Sequence, residues 1–265
     1  MDVPKIYDYI ILGAGAAGLM LAEAMCADDF FKDKSILLLD KDAKQTNDRT
    51  WCYWEKGEGK FDDIVFRKWN HIFFAGKKLR KQYDIAPYSY KMIRGIDFYN
   101  SFLQRIESRP GIRFELGEVT SVKDEGEQVI VTTTTDTYIA KKVFNSIFDY
   151  GMAADQTKYP VLQQHFIGWF VKSDRPIFQK DTATFMDFSI PQKGNTRFMY
   201  VLPSSEYEGL VEYTLFSEKR LSKDEYENAI EDYVKNDLGC DNYEIFEKER
   251  GSIPMTSYDF KDHHS

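Results

Sequence analysis

"YDYIILGAGAAGLMLA", Tyr7 to Ala22, and "SILLLD", Ser35 to Asp40, decide the fold class of this 265-residue chain. Tyr7 to Leu12 is an apolar run of strand length. It leads straight into the glycine cluster Gly13 to Gly18. A helix follows, with Leu19, Ala22 and Met25 or Cys26 inward, and the second apolar run ends at Asp40. Strand, helix and strand in this order predict a βαβ unit on a parallel sheet. The three glycines act differently. Gly13 permits the tight turn, Gly15 lets backbone approach a pyrophosphate, and Gly18 lets the helix pack closely on the strands. The helix N-terminus offers N–H groups and a partial positive charge. Asp40 follows about 20 residues after the last glycine, where an acid meets a ribose hydroxyl. Dinucleotide binding is expected, with FAD and NAD both open at this point.

Further along, "KMIRGIDFYNSFLQRIES", Lys91 to Ser108, predicts a strand end, a turn at Gly95 and a helix. Its inward residues are Ile96, Tyr99, Phe102, Leu103 and Ile106. "IRFELGEVTSV", "QVIVTTTT" and "TYIAKKVFNSI" read as three short strands. A meander after a dinucleotide-binding unit points, by fold analogy, to a two-domain flavoprotein rather than a dehydrogenase. From about Gly151 the character changes. "TATFMDFSI", "TRFMYVLP" and "LVEYTLFS" predict a second domain built on an antiparallel sheet. A helix follows with a Ser222/Glu225 capping box, an apolar stripe of Tyr226, Ala229, Ile230, Tyr233 and Val234, and a stop at Gly239. "FAGKKLRKQYD", Phe74 to Asp84, reads as a solvated hairpin.

Composition narrows the function. The net charge of −8 argues against nucleic acid and against simple electrostatic attachment to anionic lipid. Cys26, Cys52 and Cys240 form no CxxC pair, and the four histidines have no metal-ligand spacing, so no metal site is expected. No GxSxG elbow occurs. The N-terminal "MDVPKIYDYIILGAG" has no leader pattern, and no apolar run reaches membrane-span length. These features predict a cytoplasmic or membrane-peripheral protein. Aromatics make up 15% of the chain, enough for core filling or for an aromatic-lined pocket.

Within "LVEYTLFS", Leu210 to Ser217, a carboxylate interrupts a strand that otherwise favours burial. By alternation Glu212 points with Leu210, Thr214 and Phe216. It stands either at a wet sheet rim or in a pocket where burial would raise its pKa. Asp187, in "FMDF", is a second carboxylate on an aromatic strand. It reads either as part of a site or as a structural partner of a basic residue such as Arg197.

Four segments together resemble the FAD-dependent lycopene cyclases, in particular the lycopene β-cyclases. They are the N-terminal glycine motif, "NDRTWCYWE" at Asn47 to Glu55, "FMDF" with "RFMYVLP" and "LVEYTLFS", and "RGSIPMT" at Arg250 to Thr256. The resemblance spans essentially the whole chain. It implies an α/β, Rossmann-like FAD-binding domain of the flavoprotein monooxygenase type, formed by residues 1–65 and 94–150. Residues 66–93 and 151–250 would form an antiparallel substrate domain, and 251–265 would begin the return to the first. The family pattern continues past "IPMT" into a glycine-rich segment, so the resemblance implies a chain shortened at its C-terminus. It also implies cyclisation of lycopene by way of γ-carotene, as a non-redox isomerisation on reduced FAD with NAD(P)H as electron source. The substrate would bring the protein to a membrane. Glu212 matches the first glutamate of the family's acidic signature; the next position, often acidic, is Tyr213. Glu212 and Asp187 are the catalytic candidates. Gly13, Gly15, Gly18 and Asp40 are the cofactor-binding candidates, with Arg49 and Arg94 as flavin contacts. Trp51 and Trp54 read as pocket aromatics or as packing. Two other readings remain open: another flavoenzyme of this fold, such as a monooxygenase or prenyl reductase, and a shortened, inactive cyclase.

Overall fold

The computed structural model describes residues 4–147 and 159–258. In chain order the elements begin with β1 (Lys5–Leu12), α1 (Ala16–Ala27), β2 (Ile36–Asp40), β3 (Thr50–Lys56), β4 (Arg67–Trp69), β5 (His71–Gly76) and β6 (Leu79–Asp84). Then come β7 (Tyr88–Arg94), α2 (Gly95–Glu107), β8 (Ile112–Leu116), β9 (Val119–Asp124), β10 (Val129–Thr133) and β11 (Thr137–Asn145). The last are β12 (Val161–Ser173), β13 (Thr182–Asp187), β14 (Arg197–Pro203), β15 (Glu208–Ser217), α3 (Lys223–Asn236) and β16 (Tyr243–Thr256). They fall into two compact units.

The first unit takes the described residues up to Thr50 and those from Ile93 to Ile147. Its six-stranded sheet has the order β8-β2-β1-β11-β10-β9. β8, β2, β1 and β11 run parallel, and β10 and β9 extend the sheet antiparallel. The parallel strands carry the continuous apolar runs that such strands require: Ile10, Leu12, Leu37 and Leu39 are almost wholly buried. α1 buries Gly18, Leu19, Ala22 and Met25. α2 begins at Gly95 with no intervening turn and buries Phe98, Tyr99, Phe102 and Ile106. Ile96 and Leu103, expected inward, are only half-buried. Phe98 takes the inward place, stacked on Phe102 with ring centroids 4.1 Å apart. "IRFELGEVTSV" forms two strands rather than one. The chain breaks at Gly117, whose N–H donates to the Asp40 carbonyl at 2.9 Å, and β8 and β9 end at opposite edges of the sheet.

The second unit takes Trp51–Met92 and the described residues from Tyr159 onward. The chain enters it at Trp51, earlier than residue 65, because β3 pairs with β7 in a three-stranded sheet of order β3-β7-β4. The expected boundary near Gly151 lies outside the described residues. The main sheet has seven strands in the order β16-β12-β15-β14-β13-β5-β6. It is antiparallel except where β13 meets β5. β5 and β6 are the expected hairpin, and β6 is exposed throughout. β16 continues to Thr256 along β12, so residues 251–256 belong to this sheet and do not leave it.

The two faces of the seven-stranded sheet are covered differently. One face packs on α3 through Trp169, Val171, Met199, Val211, Tyr213 and Leu215, against Tyr226, Ile230, Tyr233 and Val234. The Ser222/Glu225 capping box starts α3 as expected. A buried polar link adds to this seam: His165 Nδ1 lies 2.5 Å from the Tyr226 hydroxyl and Nε2 lies 2.7 Å from Ser217 Oγ. On the opposite face Phe170, Ala183, Leu202 and Leu210 pack with Trp69, Tyr90 and Met92 from the small sheet.

Candidate active site: a carboxyl pair on an aromatic face and a glycine cradle

In the first unit the glycine loop closes the carboxyl end of the parallel strands. Gly13 has φ of +94°, and its N–H donates to the Leu39 carbonyl at 2.7 Å. A side chain on Gly18 would run into the Gly13 carbonyl and meet Ile11 Cγ2 at 3.3 Å, so this glycine is required for close packing of helix on strand. A Cβ on Gly15 would meet nothing within 4 Å. Gly15 is the N-cap of α1, and no side chain caps that end. The space beside Gly15 and the uncapped N–H groups suit a pyrophosphate. Asp40 Oδ2 accepts from the Ala14 N–H at 2.7 Å and pairs with Lys44 at 3.1 Å. Its carboxylate thus braces the loop from the end of β2.

Arg49 and Arg94 meet through backbone: the Gly95 N–H donates to the Arg49 carbonyl at 2.7 Å. Their side chains turn elsewhere. The exposed Arg49 guanidinium donates to the Asp48 carbonyl, and Arg94 makes a bidentate pair with Asp97 at 2.7 and 3.0 Å.

In the second unit, strand register sets one row of residues across four strands. Glu249 on β16 lies opposite Gly168 on β12, Gly168 opposite Glu212 on β15, and Glu212 opposite Tyr200 on β14. Glu212 and Glu249 are each 8% exposed. Their backbones stand two strand spacings apart, roughly 10 Å. Gly168 puts no side chain of its own between them: a Cβ there would meet Leu210 Cδ1 at 2.7 Å, Glu249 Cγ at 3.1 Å and Glu212 Cβ at 3.4 Å. Glu249 lies near enough to act on the Glu212 carboxyl, and Thr214 Oγ1 donates to Glu212 Oε1 at 2.5 Å. Burial first, and then the like charge of Glu249, push the Glu212 carboxyl well above the ordinary carboxylate range. The Thr214 hydroxyl opposes that rise only in part.

Aromatic rings surround this row. Trp54 on β3 lies 4.9 Å from Tyr90 and 5.3 Å from Phe185; Tyr90 to Phe185 is 5.5 Å, and Phe185 to Tyr200 is 5.9 Å. Burial pushes the Tyr90 and Tyr200 hydroxyls upward, and the nearby Glu212 adds to both shifts. The Cys52 thiol is pushed up to about 12, mainly by burial. These neighbours are therefore neutral near pH 7. A buried acid beneath neutral aromatic faces suits the generation and stabilisation of a carbocation. Trp51, half-buried, lies three residues before Trp54 on the same strand.

Asp187 does not join this site. It is fully buried, but it faces α3, where it accepts from the Tyr233 hydroxyl at 2.9 Å and from the Ser189 N–H at 2.8 Å. Arg197 is not its partner; that guanidinium donates to the Tyr213 hydroxyl and to Asn195. The cause is a one-residue bulge. Thr184 pairs with Val201 and Asp187 with Met199, so three steps on β13 match two on β14, with Met186 at φ of +66° between them. The extra residue turns Asp187 away from the face of Phe185. Glu249 is the residue that sequence reasoning passed over, although it immediately precedes "RGSIPMT". An open cleft of about 590 Å³, lined by residues including His71, Gln82, Lys180 and Glu206, contains none of these candidates. Among the described residues no His, Cys, Asp and Glu cluster is arranged to hold a metal.

The sequence profile described as "Lycopene cyclase protein" matches residues 8–263. The chain belongs to the lycopene cyclase family. No curated protein sequence matches it significantly. Solved structures of flavoenzymes share the fold of this family member. A geranylgeranyl bacteriochlorophyll reductase-like protein from Thermoplasma acidophilum aligns with a TM-score of 0.67 at 11% identity, over 95% of this chain and 67% of that one. The p-nitrophenol 4-monooxygenase PnpA of Pseudomonas putida aligns with 0.67 at 12% identity, over 96% and 70%. The halogenase PltM, solved with phloroglucinol and FAD, aligns with 0.59 at 10% identity, over 94% and 59%. The cyclase chain is thus an enzyme-family member on a mixed α/β, two-unit flavoenzyme fold.

Proposed function

We propose that this member of the family is a lycopene β-cyclase, which closes β-ionone rings at the ends of lycopene, by way of γ-carotene to β-carotene. The observation that carries the reading is Glu212, a buried carboxyl whose pKa burial raises, on a sheet face lined by Trp54, Tyr90, Phe185 and Tyr200. Its proton adds to the terminal double bond, whose π pair forms the new C–H bond. The neighbouring alkene closes the ring on the cation, and loss of a ring proton restores neutrality. One proton enters and one leaves, so the reaction is an isomerisation. The aromatic faces stabilise the positive charge, and the apolar walls exclude water that would trap it.

The loop of Gly13, Gly15 and Gly18 with the N-terminus of α1 would hold the FAD pyrophosphate, with Asp40 at the ribose. Arg49 and Arg94 frame the start of α2 as further contacts. Reduced FAD, with NAD(P)H as the electron source, supplies an electron-rich ring when bound. The hydrocarbon substrate places the working enzyme at a membrane surface; among the described residues no helix is long and apolar enough to cross one.

Carotenoid analysis of lycopene-accumulating cells tests the reading. The expected result is β-carotene or γ-carotene with the native chain and none with Glu212→Gln. A product formed with stoichiometric consumption of NAD(P)H would instead assign a redox flavoenzyme, such as a monooxygenase or prenyl reductase.

A further inference from the structure

The row Glu249–Gly168–Glu212–Tyr200 contains more acid than a single proton donor needs. Both carboxyls are buried, and the other two members of the row, Gly168 and Tyr200, are not basic. The residues flanking Glu249 alternate to the other face, where Lys248 pairs with Glu227 of α3 at 2.7 Å. Among the described residues, the titratable groups that act on Glu212 from the packed strands besides Glu249 are Cys52 on β3, Tyr90 on β7 and Tyr200 on β14, all neutral near pH 7. Two full negative charges in such surroundings would repel with little screening. A glycine separates the two residues on β12, where an added Cβ would press on both.

We propose that Glu249 is the working partner of Glu212: across Gly168 the two carboxyls hold one proton between them, and this pair is the acid of the site. The inference rests on the cyclase reading for its chemistry, but its geometry does not depend on it. When the pair gives its proton to an alkene, an O–H bond breaks and a C–H bond forms, leaving two facing carboxylates. That arrangement is costly, so the pair is primed to recover a proton, and the proton lost from the closed ring is its natural source. Glu249 thereby supplies both the drive to keep one carboxyl protonated and the drive to take the proton back.

The test is a carboxyl titration of the purified chain by infrared or ¹³C NMR, run on the native protein, Glu249→Gln and Glu212→Gln. The native pair should titrate in two separated steps, the upper one above the ordinary carboxylate range. Glu249→Gln should bring the upper step down by about one pH unit or more. Glu212→Gln should leave Glu249 titrating in a single step below the native upper one. An upper step unmoved in Glu249→Gln would overturn the pairing. Should that variant not fold, Glu212→Gln decides the same question: a Glu249 that titrates as it does in the native chain is uncoupled. For turnover, Glu249→Gln should shift the high-pH fall in cyclisation to lower pH, whereas an unmoved profile assigns Glu249 to packing alone. If the native chain forms no ring, the cyclase reading fails while the titration still decides on the pair.

Discussion

Asp187 and Glu212 stand on opposite faces of one sheet: the Asp187 carboxylate accepts from Tyr233 of α3, while Glu212 faces Tyr90 and the small sheet. Their substitutions should therefore separate. Asp187→Asn removes a charged acceptor from Tyr233 and Ser189 and should cost about 1–3 kcal/mol of stability. It should leave residual cyclisation in proportion to folded protein. Glu212→Gln should abolish cyclisation with the fold intact. Denaturant melts beside carotenoid yields check the contrast, and loss of specific activity in a well-folded Asp187→Asn would contradict it.

Glu212 should also reveal itself as a stability cost. Its folded pKa lies above its ordinary value of 4.5, so the folded state binds more protons than the unfolded one as pH rises past 4.5. Its contribution to stability is fully present below that pH and lost as pH rises toward the folded pKa. Glu212→Gln, which cannot ionise, should gain melting temperature relative to the native chain, and the gain should grow from pH 5 to pH 8. A difference that stays flat with pH would mean that the carboxyl is not held protonated.

The glycines of the first unit predict two different failures. Gly15→Val projects into open space, so the fold should persist while FAD affinity drops by tenfold or more. Gly18→Ala meets the Gly13 carbonyl and should destabilise the unit itself. Thermal melts with a flavin titration distinguish the two. Stoichiometric FAD on Gly15→Val would remove the cradle from consideration.

Asp8 offers a check at low pH. A hydrogen bond from Lys141 at 2.7 Å, joined by the Ser35 N–H at 2.9 Å, lowers its pKa from 3.8 to about 2. The depressed value means that its stabilisation is present above pH 3.8 and lost as pH falls toward 2. Lys141 is largely exposed, so water screens part of the effect. Asp8→Asn should cost about 1–2 kcal/mol at pH 7 and little at pH 2, measured by urea melts at both.

Much of this was legible in the sequence because local chemistry decides it. The glycine loop, the capping box at Ser222 and the hairpin through Lys77 and Lys78 each specify themselves within a few residues. Glu212 was legible through strict alternation along β15. For Asp187 the sequence leaves a site and a structural role both open, and its side of the sheet was not legible, because Met186 inserts an extra residue and no local signal in "FMDF" announces a bulge. Glu249 escaped because its significance is non-local. It becomes an acid of interest only when β16 and β15 flank the same glycine of β12, and that register is a property of three strands at once. Phe98 is buried in α2 where Ile96 and Leu103 are expected, because the helical stripe runs through Phe98, Tyr99, Phe102 and Ile106 and leaves Ile96 and Leu103 at its margins.

β16 forms one border of its sheet, hydrogen-bonded to β12 alone among the described strands. Border strands fray before the interior of a sheet opens. One half of the acid pair therefore rides on a border strand, while the other is anchored between β12 and β14. Under mild urea, hydrogen exchange should quicken along Tyr243–Thr256 before β12, β15 and β14 open, and proton-donating capacity should fade while those interior strands are still protected.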